Sequence, residues 1–525
     1  MLRFGIKNLR RLVSVDPVEI KPITILVGRN SSGKSSFLRA LPLIRQTLMK
    51  RTSSPILWYG DFVDFGSFEG AVSGNDIDQS ISFLFGLDRM TVQLRGPYGY
   101  AARVGRQLEN IRLETRISAL VEPNAPSSDN VKTYISALSI SFDGGIYAIE
   151  LDGAGELSKL TVNGKDVRSL FVDHEIYLSS DAVFPSLEVL PKDRAGELAY
   201  AERHYVAKAV ARIIKPHLNK LVKDAALQEY SATILSLREF NRQNIRRIGQ
   251  QATSQSFKRL LVDLSEGDAN KIYEELRLCY LANWLPETVQ RLSRILQEVI
   301  QSTLYIGPAR ARSERYYRYQ DLSVSEIDPD GENFAMFLNS LAYSEQESLS
   351  SWIERLFNYR ISVVQSPGHL SINLVEGARS TNIVDTGYGV SQILPVLGQI
   401  WWAKNKSRRI RTRRSLASSS MIAIEQPELH LHPAHQALLA DALVDQVPAS
   451  DDEEPVNFLV ETHSETLVNR LGELISEGQL LPENVQVLIF QPSKDNDQQT
   501  DVSIARFGEK GELINWPFGF FQPAE

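Results

Sequence analysis

Apolar residues along the chain follow three different spacings, and each spacing predicts a different kind of structure. The largely apolar run ITILV at residues 23–27 is typical of a buried strand, and residues 37–41 open a helix. From about residue 75 to residue 170, apolar and polar positions alternate between turns, which predicts an antiparallel β-sheet. The chain therefore begins with a strand, a loop and a helix, and continues into a sheet.

Helical spacing dominates between about residues 190 and 300, where apolar residues recur three or four positions apart. Pro216 falls inside the first series and is expected to interrupt that helix, because proline cannot donate a backbone hydrogen bond. Two strands are expected on either side of residues 366–368, and strands and helices alternate again from Thr386 onward. The apolar positions at helical spacing are Val206, Val210, Ile213, Ile214, Leu218, Leu221, Val222, Val289, Leu292, Leu296 and Val299.

These patterns predict an α/β protein in three parts. Residues 1–185 form an N-terminal lobe with the strand-loop-helix unit and an antiparallel β subdomain. Residues 186–300 form a helical insertion, and residues 301–525 form a C-terminal lobe in which strands and helices alternate.

The loop after the first buried strand matches a phosphate-binding pattern. Residues 28–35 read GRNSSGKS, which fits GxxxxGK[ST] between a strand and a helix. Lys34, expected to face solvent, can reach the terminal phosphates, and the Ser35 hydroxyl can ligate Mg²⁺. A nucleoside triphosphate is therefore the expected ligand. The candidate nucleotide-binding residues of this loop are Gly28, Asn30, Ser31, Ser32, Gly33, Lys34, Ser35 and Ser36.

Polar residues follow two apolar runs in the C-terminal half. Residues 421–428 read MIAIEQPE, an apolar strand ending in carboxylates, which is the form of a Walker B element. A carboxylate there can hold Mg²⁺ through water, and a second polar group can orient the attacking water. Residues 458–464, FLVETHS, are likewise an apolar strand followed by polar residues, among them His463. Between the phosphate loop and the run at residues 421–428, residues 385–392 read DTGYGVSQ, and a helix beginning near Ser391 can receive an anion at its N-terminus.

Composition removes several function classes. The net charge of −7 excludes a uniformly basic nucleic-acid binder, and the single cysteine, Cys279, excludes an internal disulfide and a multi-cysteine zinc site. The apolar run at residues 394–402 is too short to span a bilayer, and residues 1–7 lack the apolar core of a signal peptide. We therefore expect a cytoplasmic protein without a membrane segment.

The order of these motifs, phosphate loop, DTGYGVSQ, IEQPELHLHP and VETHSE, resembles ABC-type ATPase heads of the RecF, SMC and overcoming-lysogeny-defect kind. It is most similar to the stand-alone AAA-family proteins of anti-phage systems. Residues 305–310 and 516–521 agree with this resemblance, which covers about residues 1–75 and 300–525. The resemblance implies a P-loop ABC-ATPase head that binds ATP and Mg²⁺.

The resemblance also assigns roles by position. Gly387, Gly389, Ser391 and Gln392 match the signature segment, which contacts the γ-phosphate held by the opposite protomer. Glu425 takes the Walker B position as a metal ligand, His432 takes the D-loop position, and His463 is the switch histidine. Residues 59–73 contain no glutamine for a Q-loop.

One position departs from the family pattern. Gln426 stands where the catalytic glutamate is usual, and a neutral amide can position water but cannot accept its proton. Hydrolysis would then be slow and the nucleotide-bound dimer long-lived. Alternatively, Glu428 is the general base.

The implied activity is that of an ATPase which forms a homodimer, or a higher oligomer, through a nucleotide sandwich. It would sense or gate an effector protein such as a nuclease, as in Septu-type or retron-associated defence. Two alternatives stay open. One is a non-hydrolysing scaffold that assembles on nucleic acid, and the other is a RecF-like DNA-repair ATPase.

Two segments, one basic and one rich in histidine, have two readings each. The basic run at residues 404–414 is either a DNA or RNA contact or a solvated loop. His430, His432 and His435 are either metal ligands or local packing. The acidic cluster at residues 451–454 reads as an exposed loop and lacks the spaced carboxylates of a Toprim nuclease, so we expect no nuclease centre in this chain.

Overall fold

A computed structural model describes residues 2–94, 104–121, 131–179, 182–192, 204–266, 271–320, 323–410, 420–448, 456–494 and 496–517. The chain divides into two compact units. The first unit comprises Met1–Gly5, Thr52–Ile56 and Ile77–Leu296, and the second comprises Ile6–Arg51, Leu57–Asp76 and Gln297–Glu525. The antiparallel strands between residues 81 and 166 and the helices between residues 207 and 266 lie in the first unit, and the three-part division at residues 185 and 300 stays a prediction.

The strands are β1 (Leu2–Leu9), β2 (Leu12–Glu19), β3 (Ile23–Gly28), β4 (Ile81–Leu94), β5 (Val104–Val121), β6 (Val131–Phe142), β7 (Gly145–Leu151), β8 (Leu157–Val162), β9 (Lys165–Asp166), β10 (His174–Leu178), β11 (Leu187–Pro191), β12 (Leu304–Ile306), β13 (Tyr317–Arg318), β14 (Arg360–Ser366), β15 (His369–Glu376), β16 (Arg379–Asn382), β17 (Ser420–Glu425), β18 (Val456–Glu461), β19 (Val485–Pro492), β20 (Thr500–Phe507) and β21 (Leu513–Ile514). The helices are α1 (Lys34–Met49), α2 (Phe68–Ala71), α3 (Ala207–Ile214), α4 (Asp224–Leu235), α5 (Arg242–Gln251), α6 (Gln255–Glu266), α7 (Lys271–Ser302), α8 (Phe334–Ser340), α9 (Tyr343–Phe357), α10 (Tyr388–Ile410), α11 (Pro433–Val444) and α12 (Glu465–Ser476).

The large antiparallel sheet has the strand order β2-β1-β4-β5-β6-β7-β8-β9. Strand β7 alternates buried and solvent-facing residues, which is the pattern of a sheet with one face on a core. The helices of the first unit follow the sheet in the sequence. Helix α3 ends at Ile214, and a 3₁₀ turn at Lys215–His217 contains Pro216, so the expected interruption is confirmed.

The second unit is built on a sheet in the order β12-β17-β18-β3-β19-β20-β21. Strands β12, β17, β18, β3 and β19 are parallel, and β20 and β21 are antiparallel additions at one edge. All residues of β3, an interior strand of this sheet, are buried, as is usual for a parallel strand covered on both faces, which explains why residues 23–27 are apolar except for Thr24. The expected α/β fold class, with a phosphate loop, an antiparallel β subdomain and a helical segment, is confirmed.

The strand order brings three carboxyl ends together. Glu425, the last residue of β17, is the register partner of Glu461, the last residue of β18. Glu461 is in turn the register partner of Leu26 in β3, two residues before the phosphate loop. In an open parallel sheet, the carboxyl ends of the strands form the edge where ligands bind.

A smaller sheet has the strand order β13-β15-β14, with β16 paired to β15. Strands β14 and β15 are antiparallel on either side of Pro367 and Gly368, which confirms the two expected strands. Helix α10 begins at Tyr388, three residues before the expected start at Ser391. Across the described residues, no helix combines the length and apolar character that a bilayer crossing requires.

Candidate nucleotide-binding site

The phosphate loop is shaped by glycines at both ends. At Gly28 an added Cβ would lie 2.4 Å from the Phe490 carbonyl oxygen, so no side chain fits there. Gly33 caps α1 with φ of 93°, a left-handed conformation that glycine adopts without strain. An added Cβ at Gly33 would also lie 2.8 Å from Leu12 Cδ2. The GxxxxGK spacing therefore has a steric cause in this chain.

Two residues outside the phosphate loop donate hydrogen bonds to its backbone. Thr500 Oγ1 donates a hydrogen bond to the Ser32 carbonyl oxygen at 2.9 Å, and an Arg11 guanidinium nitrogen donates to the Ser31 carbonyl oxygen at 3.2 Å. The Ser32 hydroxyl oxygen is buried and has no hydrogen-bond partner. A buried polar group without a partner is costly, and a bound anion would satisfy this hydroxyl.

Lys34 is buried, with 3% of the residue exposed, so the expectation of a solvent-facing lysine is wrong. The loop curls over the ammonium, and Nζ donates to the carbonyl oxygens of Gly28 at 3.0 Å and Arg29 at 2.9 Å. Burial lowers the pKa of Lys34, and the carboxylates of Glu461 and Glu428 act in the opposite direction. The ammonium is thus held at the loop by backbone oxygens.

A cavity of about 550 Å³ opens beside the loop, a size typical of small-molecule sites. It brings the phosphate loop together with Gln426 and His463, as the sequence analysis expected, whereas Gly389, Ser391 and Gln392 are not part of its lining. The lining residues are Arg10, Arg11, Asn30, Ser31, Ser32, Gly33, Lys34, Ser35, Ser36, Arg39, Gln426, Glu461 and His463.

The Glu425 side chain is buried, with 1% of the residue exposed, and both of its carboxylate oxygens are hydrogen-bonded. Arg39 donates through Nε to Oε1 and through a terminal nitrogen to Oε2, each at 2.7 Å. The Tyr305 hydroxyl donates to Oε1 at 2.7 Å. Burial is the main cause that raises the pKa of Tyr305, and the Glu425 carboxylate raises it further. Tyr305 is therefore a neutral donor.

Glu461 is a site residue that was not assigned from the sequence, as are Arg10, Arg11 and Arg39 in the cavity lining. Its Oε1 accepts a hydrogen bond from the Ser35 hydroxyl at 2.9 Å and lies 3.8 Å from Lys34 Nζ. Its Oε2 is buried and has no hydrogen-bond partner. Burial raises the pKa of Glu461, and the hydrogen bond from Ser35 opposes that rise. The signal was present in the sequence, because a glutamate ends β18 as Glu425 ends β17.

Glu428 and His463 are joined through the backbone. The His463 backbone N–H donates to Glu428 Oε1 at 2.6 Å, while Glu428 Oε2 is buried without a hydrogen-bond partner. Burial raises the pKa of Glu428. His463 lines the cavity and is open to solvent on one side. The partial loss of water around the ring, followed by the Lys34 charge, lowers its pKa. At neutral pH the imidazole is therefore uncharged.

The strand end at Gln426 carries backbone strain. Gln426 has φ of 42°, in the left-handed region that a residue with a side chain seldom adopts. Its backbone N–H donates to the Glu461 carbonyl oxygen at 2.8 Å, and Arg310 donates to the Glu425 carbonyl oxygen at 3.0 Å. These two hydrogen bonds hold the turn that places Gln426 at the cavity.

The signature segment packs against the turn after β17. An added Cβ at Gly389 would lie 2.5 Å from the His430 carbonyl oxygen, so glycine is required at this position. Ser391 and Gln392 are buried, with 6% and 3% of each residue exposed. Gln392 Nε2 donates to the Ala311 carbonyl oxygen at 3.1 Å. The roles assigned to this segment stay predictions.

The histidines after β17 have structural contacts. His432 precedes α11, and its Nδ1 accepts a hydrogen bond from the Ala434 backbone N–H at 3.3 Å. The His435 ring lies 6.0 Å from the Phe357 ring. Within the part of the chain that the structure describes, no group of three or more His, Cys, Asp or Glu side chains could hold a metal ion.

Some of the expected features fall outside the described residues. They include residues 411–414 and the side chains of residues 406–410 in the basic run, the acidic cluster at 451–454 and residues 518–521. Lys404, at the start of the basic run, donates to the Asp445 carbonyl oxygen at 3.4 Å.

Two family models match the chain. Residues 23–124, which contain the phosphate loop, match the model described as "AAA domain, putative AbiEii toxin, Type IV TA system". Residues 207–468, which contain DTGYGVSQ, Glu425 and His463, match the model described as "AAA ATPase domain". Both regions of the chain are therefore similar to AAA-type domain sequences.

Solved structures with a similar course of the chain include an SMC head bound to the C-winged helix domain of ScpA, at 9% identity and a TM-score of 0.31 over 96% of this chain and 97% of that chain. Another is the SMC head domain from Thermotoga maritima, at 10% identity and a TM-score of 0.29 over 95% and 97%. A search of curated proteins gives no match.

Proposed function

We propose that the protein binds ATP with Mg²⁺ in the cavity beside the phosphate loop and hydrolyses it slowly. The observation that carries the proposal is the loop itself, which is closed by Gly28 and Gly33 and places Lys34 and Ser35 beside a buried carboxylate. The unpartnered Ser32 hydroxyl supports an anionic ligand at the same place. The match to AAA ATPase domain sequence points to the same chemistry.

The residues at the loop fit a divalent cation. Mg²⁺ bound with a nucleotide takes few protein ligands, because phosphate oxygens and water supply the rest. The Ser35 hydroxyl, Glu425 and Glu461 are the candidates to hold it, and the unpartnered Glu461 Oε2 supports the fit. When bound, such a cation would neutralise negative charge on the phosphate oxygens.

Hydrolysis requires a water molecule placed opposite the leaving group. Its oxygen attacks the γ-phosphorus, the bond to the bridging oxygen breaks, ADP leaves, and a base accepts the proton of the water. Gln426 lines the cavity, and its amide could orient the water but cannot take the proton. Glu428 has an unpartnered buried oxygen and a raised pKa, which supports it as the base.

We further propose that two copies close around two nucleotides, with the signature segment of one copy completing the cavity of the other. Gly389, Ser391 and Gln392 do not line the cavity of their own chain, which agrees with a contribution in trans. Closure would signal to an effector protein such as a nuclease, in anti-phage defence. This last step is supported by the motif resemblance and by the toxin family named in the match at residues 23–124.

A complementation assay tests the composite site. Lys34→Ala removes the phosphate ligand in one chain, and Ser391→Ala removes the hydroxyl of the signature, with a small side chain suited to a buried position. In a mixed dimer of the two variants, one trans site is intact, so an equimolar mixture should recover about a quarter of the wild-type turnover. A cis site would recover nothing. Absence of recovery, with both variants folded and dimeric, contradicts the trans arrangement.

A second candidate function is that of a nucleotide-bound scaffold without hydrolysis. The neutral Gln426 in the cavity favours it, because the usual proton acceptor is replaced by an amide. Tight ATP binding with no phosphate release, with and without DNA or RNA, would support the scaffold. Stimulation of turnover by duplex DNA would instead support a RecF-like ATPase.

A further inference from the structure

We infer that Glu461 and Ser35 together hold the divalent cation of the bound nucleotide, and that Glu425, at the Walker B position, serves as an ion-pair anchor for α1. The inference rests on the proposed nucleotide binding at this cavity. It divides the two strand-end carboxylates into one that faces the ligand and one that supports the fold.

Both carboxylate oxygens of Glu425 already accept hydrogen bonds from the protein. Arg39 occupies both carboxylate oxygens in a bidentate pair, and Tyr305 adds a third donor to Oε1. A bidentate guanidinium–carboxylate pair is among the stronger hydrogen-bonded contacts in proteins. A cation at Glu425 would compete with Arg39 for the carboxylate and would lie beside the positive guanidinium.

Glu461 has the opposite situation. Its Oε1 already accepts the hydroxyl hydrogen of Ser35, and its Oε2 has no hydrogen-bond partner although only 1% of the residue is exposed. A buried carboxylate oxygen without a partner is destabilising unless a ligand supplies the missing interaction. Glu461 also lines the cavity, whereas Glu425 does not.

The strand order explains why the second glutamate faces the loop. Strand β18 pairs directly with β3, and Glu461 is the register partner of Leu26 in β3. Strand β17 pairs with β18 on the side away from β3, so Glu425 lies one strand further from the loop. Oxygen ligands suit a divalent cation, and the hydroxyl of Ser35 with one carboxylate meets the small protein share that Mg²⁺ takes in nucleotide sites.

The test is a Mg²⁺ titration of nucleotide binding, followed by the fluorescence of a bound ATP analogue and not by turnover. We expect Glu461→Gln to raise the Mg²⁺ concentration at half-maximal binding by about 10-fold or more, the scale of losing one well-placed metal-site contact. Glu425→Gln should leave this midpoint within about 3-fold and lower the melting temperature instead, since it weakens the pair with Arg39. Glu473→Gln, an exposed carboxylate on α12, is the matched control.

The outcomes separate this inference from the proposed function. If the wild-type protein does not bind the analogue, or binds it equally well with and without Mg²⁺, both the proposed function and the inference are wrong. Mg²⁺-dependent binding in which Glu425→Gln shifts the midpoint and Glu461→Gln does not would overturn the inference alone. If Glu461→Gln does not fold, Glu461→Asp replaces it in the test. The shorter side chain keeps the negative charge but moves its oxygens away from Ser35, so an unchanged Mg²⁺ concentration at half-maximal binding would contradict the inference.

Discussion

Arg39 binds Glu425 through both carboxylate oxygens, and the pair defines how α1 meets the strand ends. Ser35 and Arg39 are four residues apart on α1, so they share one face of the helix. Ser35 donates to Glu461 at the end of β18, and Arg39 donates to Glu425 at the end of β17. The two glutamates are register partners, yet this helix face gives each of them a different donor.

Removing Arg39 should destabilise the fold more than removing an exposed arginine. Arg39→Ala leaves the Glu425 charge buried with only the Tyr305 hydroxyl, which should cost roughly 3 kcal/mol of unfolding free energy. Arg355→Ala breaks an exposed pair with Asp445 and should cost less than about 1 kcal/mol. Thermal and urea unfolding of both variants measure the difference.

The same pair gives a rescue experiment. In the Arg39→Ala background, Glu425→Gln removes the uncompensated charge, so the double variant should be more stable than Arg39→Ala alone. A double variant that loses the sum of the two single effects would mean that the ion pair between Arg39 and Glu425 contributes nothing to the fold.

Lys34→Ala should weaken triphosphate binding by about 10²-fold or more, because a charge-assisted contact to phosphate is lost. The fold should persist, since the loop keeps its glycines and the hydrogen bond from Thr500. Lys21→Ala is the matched control, because Lys21 lies outside the cavity and its Nζ donates to a backbone oxygen of Glu483. Calorimetry with ATP is the measurement. If Lys34→Ala and Lys21→Ala bind ATP with equal affinity, Lys34 is not a ligand of the phosphates.

Local motifs were predictable from the sequence because their cause is local. The phosphate loop follows from a strand, two glycines and a helix start, and the interruption at Pro216 follows from the missing amide hydrogen. Helix α10 begins earlier than expected, directly after Gly387, whose φ of 95° ends the preceding turn.

The division of roles between the two glutamates was not predictable, because it depends on which strands are neighbours. Both end an apolar run, and only the order β17-β18-β3 places Glu461 beside Ser35. The burial of Lys34 was missed for a similar reason. Its carbonyl partners become available only when the loop folds back over the ammonium.

Gly389→Ala should lower stability and disturb the turn after β17. The added methyl carbon would lie 2.5 Å from the His430 carbonyl oxygen, so helix α10 or the turn must shift. Such overpacking costs about 1–3 kcal/mol. Gly105→Ala is the control, since its added Cβ would meet Thr91 at an ordinary 3.5 Å. Melting temperatures of the two variants are compared, and a fall of the same size in both would contradict the contact.

The basic run at residues 404–414 makes a prediction about salt. If it contacts a nucleic-acid backbone, replacing Arg408, Arg409, Arg411 and Arg413 by glutamine should weaken DNA or RNA binding. The slope of log affinity against log salt should become shallower by about 0.7 to 0.9 for each lost phosphate contact. Binding isotherms at several salt concentrations provide the slope. If the salt dependence of binding is unchanged in this variant, residues 404–414 are better interpreted as a solvated loop.

The general base can be assigned by two substitutions on the turn after β17. Gln426→Glu places a proton acceptor at the cavity and, if that position lacks its base, should raise turnover by about 10²-fold or more. If Glu428 is the base, Gln426→Glu should change little and Glu428→Gln should nearly stop turnover. The amide keeps an acceptor for the His463 N–H, so folding and ATP binding should persist.

The pH dependence distinguishes the two cases further. Burial raises the pKa of Glu428, so its carboxyl keeps its proton to a higher pH than an exposed glutamate does. A base must be unprotonated, so wild-type turnover should fall as pH drops through this raised pKa. If the carboxylate in Gln426→Glu acts as the base, the pH at which turnover falls on the acidic side should change. The two single variants and the parent are assayed from acidic to neutral pH. Unaltered turnover and an unaltered acidic limb in both variants would mean that the Glu425–Glu428 segment is not the catalytic strand end.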